Sequence, residues 1–330
     1  MRIAVTGATG FLGRHIVSLL ADNHELVCIS RSGEAPEGCT GKKIDVVQGR
    51  GLKAAFSKAD VVIHAAGLVS HELDRAAETW AVHVTGTQNV LDAAKASKVS
   101  RVVYLSTSGT IAVSTDSTVH ATERSPTPEA LISRWPYYRS KLYAEQLALG
   151  AEGLDVISLN PSLLLGPGDV VGGASTHAVS VFLDQGVPFA PPGGISFVDV
   201  RDVASAVEKA LTQGVAGERY LLAGANMRFV DFYSRLARIT GRDEPLMAMP
   251  RVTKKVLQWF PKWGQANGIS AGVGPVISRE DLELSSHYWY ADSSKAIDAL
   301  DWCARDPMAT IEDTAFDILD RQNQAYARYR

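Results

Sequence analysis

Along the first half of the chain, short apolar runs alternate with longer stretches in which apolar residues recur at i, i+3 and i+4. The runs Ile3–Thr6, Glu25–Ser30, Asp60–Ala65, Arg101–Ser106 and Asp155–Asn160 are predicted as buried strands. Between them, Gly13–Asn23, Ala76–Ser97 and Tyr137–Gly150 carry the helical period. Strands and helices in alternation build βαβ units, so the fold class is α/β: an open, doubly wound parallel sheet with helices on both faces.

After Pro161 the pattern loosens. GPGDVVGG and VPFAPPGG are rich in Gly and Pro, which breaks the strand-helix alternation and marks a second, smaller region. Order returns at SFVDVRDVASAVEKAL and RYLLAG, where the chain is expected to re-enter the sheet, before a helical tail from about Phe229. The expected division is residues 1–165 with 195–224 in the sheet domain, and 166–194 with 225–330 in the second region. No internal repeat or low-complexity segment is visible.

Composition removes several classes of function. The 330 residues carry 33 Lys and Arg against 36 Asp and Glu, so there is no basic excess to engage a phosphate backbone, and nucleic acid is not expected as a partner. Cys28, Cys39 and Cys303 are odd in number and share no CxxC spacing, which argues against a disulfide framework or a zinc site and for a reducing compartment, read as the cytoplasm. The start enters a strand directly, so no export signal is expected. Stretches free of charge, such as Gln185 to Val198, are broken by Gly and Pro and fall short of the roughly 20 apolar residues of a membrane helix.

The segment IAVTGATGFLGRHIV places Gly7, Gly10 and Gly13 between the first strand and the first helix. Glycines there allow a tight turn, a close backbone approach to a pyrophosphate, and close packing of the helix, whose N-terminal N–H groups face the anion. The spacing is GxxGxxG, not GxGxxG. Arg31 follows at the end of the second strand, and no Asp or Glu lies from Cys28 to Gly33. An acidic residue at this place binds the ribose 2′-OH of NAD, whereas Arg accommodates a 2′-phosphate, so the expected cofactor is NADP, with NAD as second choice.

Tyr137 and Lys141 stand four residues apart, on one face of their helix. A phenol with an ordinary pKa near 10 is a weak acid or base at neutral pH, and a nearby ammonium is expected to favour its phenolate. One strand upstream, Ser106-Thr107-Ser108 ends RVVYLS at the sheet's C-terminal edge, where open α/β sheets bind ligands. A hydroxyl there can donate to a substrate carbonyl oxygen as negative charge develops.

With these motifs in order, the chain resembles the extended short-chain dehydrogenases/reductases (NAD-dependent epimerase/dehydratase-like), nearest the dihydroflavonol-reductase-like and carbonyl-reductase branch. The resemblance rests on TGATGFLG (Thr6–Gly13), DVVIHAAG (Asp60–Gly67), VTGTQNVL (Val84–Leu91), RVVYLSTSGT (Arg101–Thr110), YYRSK (Tyr137–Lys141), NPSLLLGPGD (Asn160–Asp169) and FVDVRDVA (Phe197–Ala204). It implies a Rossmann domain with Tyr137 as general acid and Lys141 on the nicotinamide ribose. Thr9, Phe11 and Leu12 would hold the cofactor with the three glycines, Ala65, Ala66 and Ser106 would line it, Asp45 would contact adenine, and Pro161, Ser162 and Leu163 would flank the nicotinamide. Relatives pair as homodimers through the Ala76–Ser97 and Tyr137–Gly150 helices. Three positions depart from the family: Thr107 stands at the register of the catalytic Ser, with Ser108 as the fallback; His83 stands where many relatives have Asn; and Gln48 replaces a second Asp.

The function expected is an NADP(H)-dependent oxidoreductase that interconverts a carbonyl and an alcohol on a small to medium organic substrate. The alternatives are an NDP-sugar epimerase or dehydratase with bound NAD, and a nucleotide-sensing module without catalysis. Two further expectations concern the second region: Val256-Leu257-Gln258-Trp259-Phe260-Pro261-Lys262-Trp263 as wall or lid of a hydrophobic pocket, and Trp302 as a core anchor of the tail.

Overall fold

The computed structural model describes residues 1–70, 72–170, 173–187, 189–245, 247–248 and 283–328. The chain runs β1 (Arg2–Thr6), α1 (Phe11–Leu20), β2 (Glu25–Ser30), β3 (Thr40–Lys43), α2 (Leu52–Ala55), β4 (Val61–His64), α3 (Ala76–Trp80), α4 (Gly86–Ala96), β5 (Arg101–Leu105), α5 (Glu129–Ile132), α6 (Pro136–Leu149) and β6 (Asp155–Pro161). It continues through β7 (Leu163–Leu165), α7 (Ala174–Gln185), β8 (Phe189–Ala190), β9 (Gly194–Asp199), α8 (Val200–Ala210), β10 (Arg219–Leu222), β11 (Ala225–Arg228), α9 (Phe229–Thr240), β12 (Met247–Ala248), α10 (Ser294–Leu300) and α11 (Pro307–Arg328).

The central sheet has seven parallel strands in the order β10-β6-β5-β4-β1-β2-β3. The strand order reverses beside β1, which places the ligand crevice at the C-terminal ends of β1 and β4. All five strands expected from the sequence are in this sheet, because their apolar side chains are covered on both faces. Ile16, Val17 and Leu20 of α1 pack with Val203, Ala206 and Val207 of α8 on one face. Leu52 of α2, Val90 and Leu91 of α4, and Ala144 and Ala148 of α6 cover the other. Each fully buried Val, Leu or Ile contributes about 1.5–3 kcal/mol.

The strand β3 has no counterpart among the expected elements. Its TGKK sequence leaves all four residues exposed, because an edge strand needs only backbone pairing on one side. The segment SFVDV does not rejoin the central sheet: β9 lies in a three-stranded sheet of order β11-β9-β7, parallel to β7 and antiparallel to β11. RYLLAG does rejoin it, as β10 beside β6. The Ala76–Ser97 helix runs through α3 and α4, joined by one π turn over Ala81–Thr85.

Trp302 is 3 % exposed, and its indole N–H donates to the Asp202 carbonyl at 2.8 Å, tying the tail to α8. The aromatic run Val256–Trp263 lies outside the described residues. Among the described residues, no helix is long and apolar enough to cross a membrane.

Candidate active site

The turn after β1 needs its glycines. Gly7 has φ +73°, and a Cβ there would fall 2.7 Å from the Ala65 carbonyl and the Ala66 nitrogen. At Gly13, in the first turn of α1, a Cβ would lie 2.1 Å from the Gly7 carbonyl oxygen. The turn is held by Gly7 N–H donating to Ile29 O and Gly10 N–H donating to Gly7 O, both at 3.0 Å. Gly10 caps α1 with no side chain over the helix end. The result is a bare backbone cradle with Thr9, Phe11 and Leu12 around its rim, suited to a dinucleotide pyrophosphate.

At the end of β2, Arg31 is exposed. The Ser30 hydroxyl accepts from Gly33 N–H at 2.9 Å and meets the Ser32 hydroxyl at 3.2 Å. These bonds shape the turn that carries Arg31, so Ser30 is occupied in holding the loop. Lys43 pairs with Ser30 across β2 and β3 and runs alongside Gly33. Nothing in the apolar pattern drew notice to it, because β3 has none. Asp45 turns back on its own loop and accepts from Val47 N–H at 2.8 Å. Gln48 is exposed.

At the end of β4, Ala65 N–H donates to Thr6 O at 3.2 Å, which seats Ala65 and Ala66 against the glycine turn. Beneath them the buried His64 bridges Thr6 Oγ1, 2.7 Å from Nδ1, and Thr87 Oγ1, 3.0 Å from Nε2. Burial, reinforced by the charge of Lys141, holds this imidazole at about 3, so it is neutral.

The strand end of β5 and the first turns of α6 bring the hydroxyl cluster to the tyrosine. Thr107 hydrogen-bonds the Tyr137 phenol through its side chain. Burial pushes that phenol up to about 12, and the Thr107 bond draws it the other way. The direction is opposite to the lowering expected from Lys141, whose ammonium donates instead to the Leu105 carbonyl at 2.8 Å. Burial lowers Lys141 to about 8, opposed by the nearby Glu145 carboxylate. Ser108 is buried in a single 3₁₀ turn, where its carbonyl accepts from Ile111 N–H at 3.0 Å.

A buried carboxylate underlies this arrangement. Glu145 accepts from the hydroxyls of Ser106 and Thr110 and from Asn160 Nδ2, and pairs with Arg219 at 3.1 Å. Asn160 Nδ2 also donates to Thr107 O at 3.1 Å, and Thr110 Oγ1 donates to the same oxygen at 3.0 Å. Ser106 is therefore an anchor below the cluster, and Thr107 is held by its carbonyl while its hydroxyl faces Tyr137. Glu145 escapes notice in the sequence because it reads as one more polar residue on a helix.

Pro161 and Ser162 are buried, and Leu163 is half-buried, at the end of β6. The Ser162 N–H donates to Leu222 O at 2.9 Å, but its buried hydroxyl has no partner among the described residues. An orphaned hydroxyl costs roughly 1–3 kcal/mol, and a ligand amide at this strand end would satisfy it. With the glycine cradle, this is what a nicotinamide dinucleotide requires of the chain. The structure thus gathers the glycine turn, Ala65, Ala66, Ser106, Thr107, Tyr137 and Lys141 at the ends of adjacent strands. Arg31 and Asp45 lie farther along the same edge, past β2 and β3.

Comparison with known proteins agrees with this geometry. Residues 3–223 match the model of the NAD dependent epimerase/dehydratase family. A Synechocystis sp. protein named as a dihydroflavonol 4-reductase is 29% identical over 98% of this chain and 95% of its own. The crystal structure of gox2253 superposes with a TM-score of 0.82 at 25% identity, covering 97% of this chain and 98% of that one. The UDP-glucuronic acid 4-epimerase from Bacillus cereus in complex with NAD has a TM-score of 0.72 at 19% identity, with 96% of each chain covered, and shows the shared fold.

Proposed function

Because the chain belongs to the NAD dependent epimerase/dehydratase family, whose members are NAD(P)-dependent oxidoreductases and epimerases of the extended short-chain type, we propose that it is an NADP(H)-dependent carbonyl reductase or alcohol dehydrogenase acting on a small to medium organic substrate. The observation that carries this reading is the placement of the Thr107 side chain on the Tyr137 phenol, with Lys141 on the same helix. When bound, the nicotinamide supplies or accepts the hydride. The chain supplies the proton and its placement. The phenol is protonated at neutral pH with or without its upward shift, in the form that donates to an oxygen gaining electrons. Thr107 and Tyr137 together offer two donors to that oxygen, Lys141 lies one helical turn beyond the tyrosine, and Gly7, Gly10 and Gly13 admit the pyrophosphate. Arg31, with Lys43 beside it, supplies positive charge for a 2′-phosphate.

The protein is read as cytoplasmic, in keeping with three free cysteines. It is read as a homodimer through α3, α4 and α6, where Trp80, Tyr143 and Leu147 are exposed. The two-part division expected from the sequence is kept as a proposal, with the catalytic groups on the sheet domain and substrate selection by the second region.

The test is NADPH oxidation against aldehydes such as 4-nitrobenzaldehyde, ketones and nucleotide sugars, with wild type and Tyr137→Phe. Net NADPH consumption with a carbonyl, lost about 10²–10⁴-fold in Tyr137→Phe while NADPH affinity stays within about threefold, is expected. Turnover of a nucleotide sugar without net NADPH consumption, by protein that retains NAD through purification, would establish the epimerase instead.

A further inference from the structure

We propose that His83 is a positioning residue: a neutral clamp with a fixed proton arrangement that ties the loop after β4 to the first turn of α6 and thereby places Tyr137. His83 is 1% exposed and sits in the π turn between α3 and α4, a wider turn that recurs at functional sites. The Leu68 amide donates to His83 Nε2 at 3.1 Å. An amide N–H has only a proton to give, so Nε2 carries the lone pair and the ring proton is on Nδ1. Nδ1 therefore donates to Ser140 Oγ at 2.8 Å, and the Ser140 hydroxyl passes its own proton onward to the Tyr137 carbonyl at 2.9 Å. Every donor in this series points the same way, from the loop to the helix. Moving the ring proton to Nε2 would break the bond to Leu68 and leave Nδ1 unable to donate to Ser140.

The same ring makes an edge contact with the Tyr137 ring, 5.5 Å between centroids at 75°. A Cβ on Gly67 would lie 3.5 Å from both His83 Nε2 and Lys141 Nζ, so the loop passes closely by the imidazole and the lysine. One imidazole thus touches the loop backbone, the helix backbone through Ser140, and the ring of the tyrosine itself. Burial first, then the charge of Lys141, hold His83 down at about 2. A ring that keeps one proton throughout the neutral range serves as a directional spacer, not as a relay that gains and loses protons.

This inference rests on Tyr137 as proton donor, yet its principal test needs neither cofactor nor substrate. In 15N-histidine-labelled protein, long-range 1H–15N correlation spectra should show His83 neutral, with the proton on Nδ1, from pH 5.5 to 8.5. Ser140→Ala removes an acceptor that does not touch Leu68. It should release His83 toward the Nε2–H form and speed exchange of the Leu68 amide about tenfold, the loss of one buried hydrogen bond. Ser140→Thr, which keeps the hydroxyl, should restore both. His83→Ala should speed Leu68 exchange to the same extent, with no further gain when Ser140→Ala is added. In turnover with NADPH and 4-nitrobenzaldehyde, Ser140→Ala should lower kcat about tenfold or more while the KM for NADPH stays within about threefold. A charged or Nε2–H His83 in the wild type, unaltered Leu68 exchange in Ser140→Ala, or an unaltered kcat would each overturn the proposal. Failure of Tyr137→Phe to lose activity would instead remove the tyrosine's role and leave the clamp standing.

Discussion

The Thr107 side chain and the Tyr137 phenol are hydrogen-bonded across the gap between the end of β5 and the first turn of α6. Neither residue is placed there by chance local geometry. Thr107 is held by its carbonyl, which accepts from Asn160 and Thr110, and by its hydroxyl oxygen, which accepts from Gly109 N–H at 3.3 Å while the side chain meets Tyr137. Tyr137 is held through its own carbonyl by Ser140.

This pairing ranks the two candidate hydroxyls. Thr107→Val keeps the shape of the side chain but removes the donor, and kcat should fall roughly 10²–10³-fold, the usual cost of losing one oxyanion donor. Ser108→Ala should stay within about fivefold of wild type, because Ser108 is buried in the 3₁₀ turn and it is Thr107 that meets the phenol. Steady-state kinetics on both variants decide it, and the reverse ranking would move the role to Ser108.

A second expectation concerns acid. His64 and His83 are held neutral at about 3 and about 2, against about 6.5 in an unfolded chain. Between those values the unfolded state binds protons that the folded state does not, so stability falls as pH falls below about 6.5. Each histidine contributes a slope of about 1.4 kcal/mol per pH unit at most. Urea midpoints at pH 7.5, 6.0 and 5.0 should therefore decline, and His64→Asn should remove about half of the decline. A midpoint flat across this range would show that both rings take up protons without cost.

Much of this was legible in the sequence, and the remainder was hidden for identifiable reasons. The five buried strands announce themselves because both of their faces are apolar, and the glycine turn because close backbone contacts exclude any side chain at Gly7 and Gly13. The edge strand β3 is silent, since TGKK has no apolar face and is formed by backbone pairing with β2. The upward direction of the Tyr137 shift is not readable from spacing, which puts Lys141 on the same helical face but reports neither the burial that raises the phenol nor that the ammonium is committed to the Leu105 carbonyl. Glu145 and Ser140 were unreadable for a related reason. A buried polar residue on a helix looks like a solvated one until its partners, Ser106, Asn160 and Arg219 for the first and His83 for the second, are brought to it by distant parts of the chain.

The exposed side of the helix pair makes its own prediction. Trp80 and Tyr143 are in ring contact at 5.2 Å, and with Leu147 they leave apolar surface in solvent at 37%, 49% and 37% exposure. A second copy would cover it by a two-fold contact of these helices. Light scattering should give twice the mass of one chain for the wild type, and Tyr143→Glu should shift the protein to the monomer with its far-UV spectrum unchanged. A monomeric wild type at micromolar concentration would remove the dimer.

The cofactor preference turns on the end of β2. Arg31 is exposed there, with no Asp or Glu from Cys28 to Gly33, and Lys43 pairs with Ser30 on the neighbouring strand, so two cations border the place where the adenosine ribose of a bound dinucleotide would lie. A 2′-phosphate gains charge-assisted hydrogen bonds that a 2′-OH makes only weakly, each worth on the order of 1.5–3 kcal/mol, so even one should favour NADPH over NADH about tenfold. Arg31→Asp should reverse the preference, because its carboxylate repels the phosphate and accepts from the ribose hydroxyl. Lys43→Glu should weaken NADPH about threefold to tenfold and leave NADH nearly unchanged, since only the phosphate senses the added charge. Fluorescence titration of both cofactors on the three proteins measures this directly. Equal wild-type affinities, or a preference for NADH, would show that neither cation meets a phosphate, and would turn the reading toward an NAD-retaining epimerase.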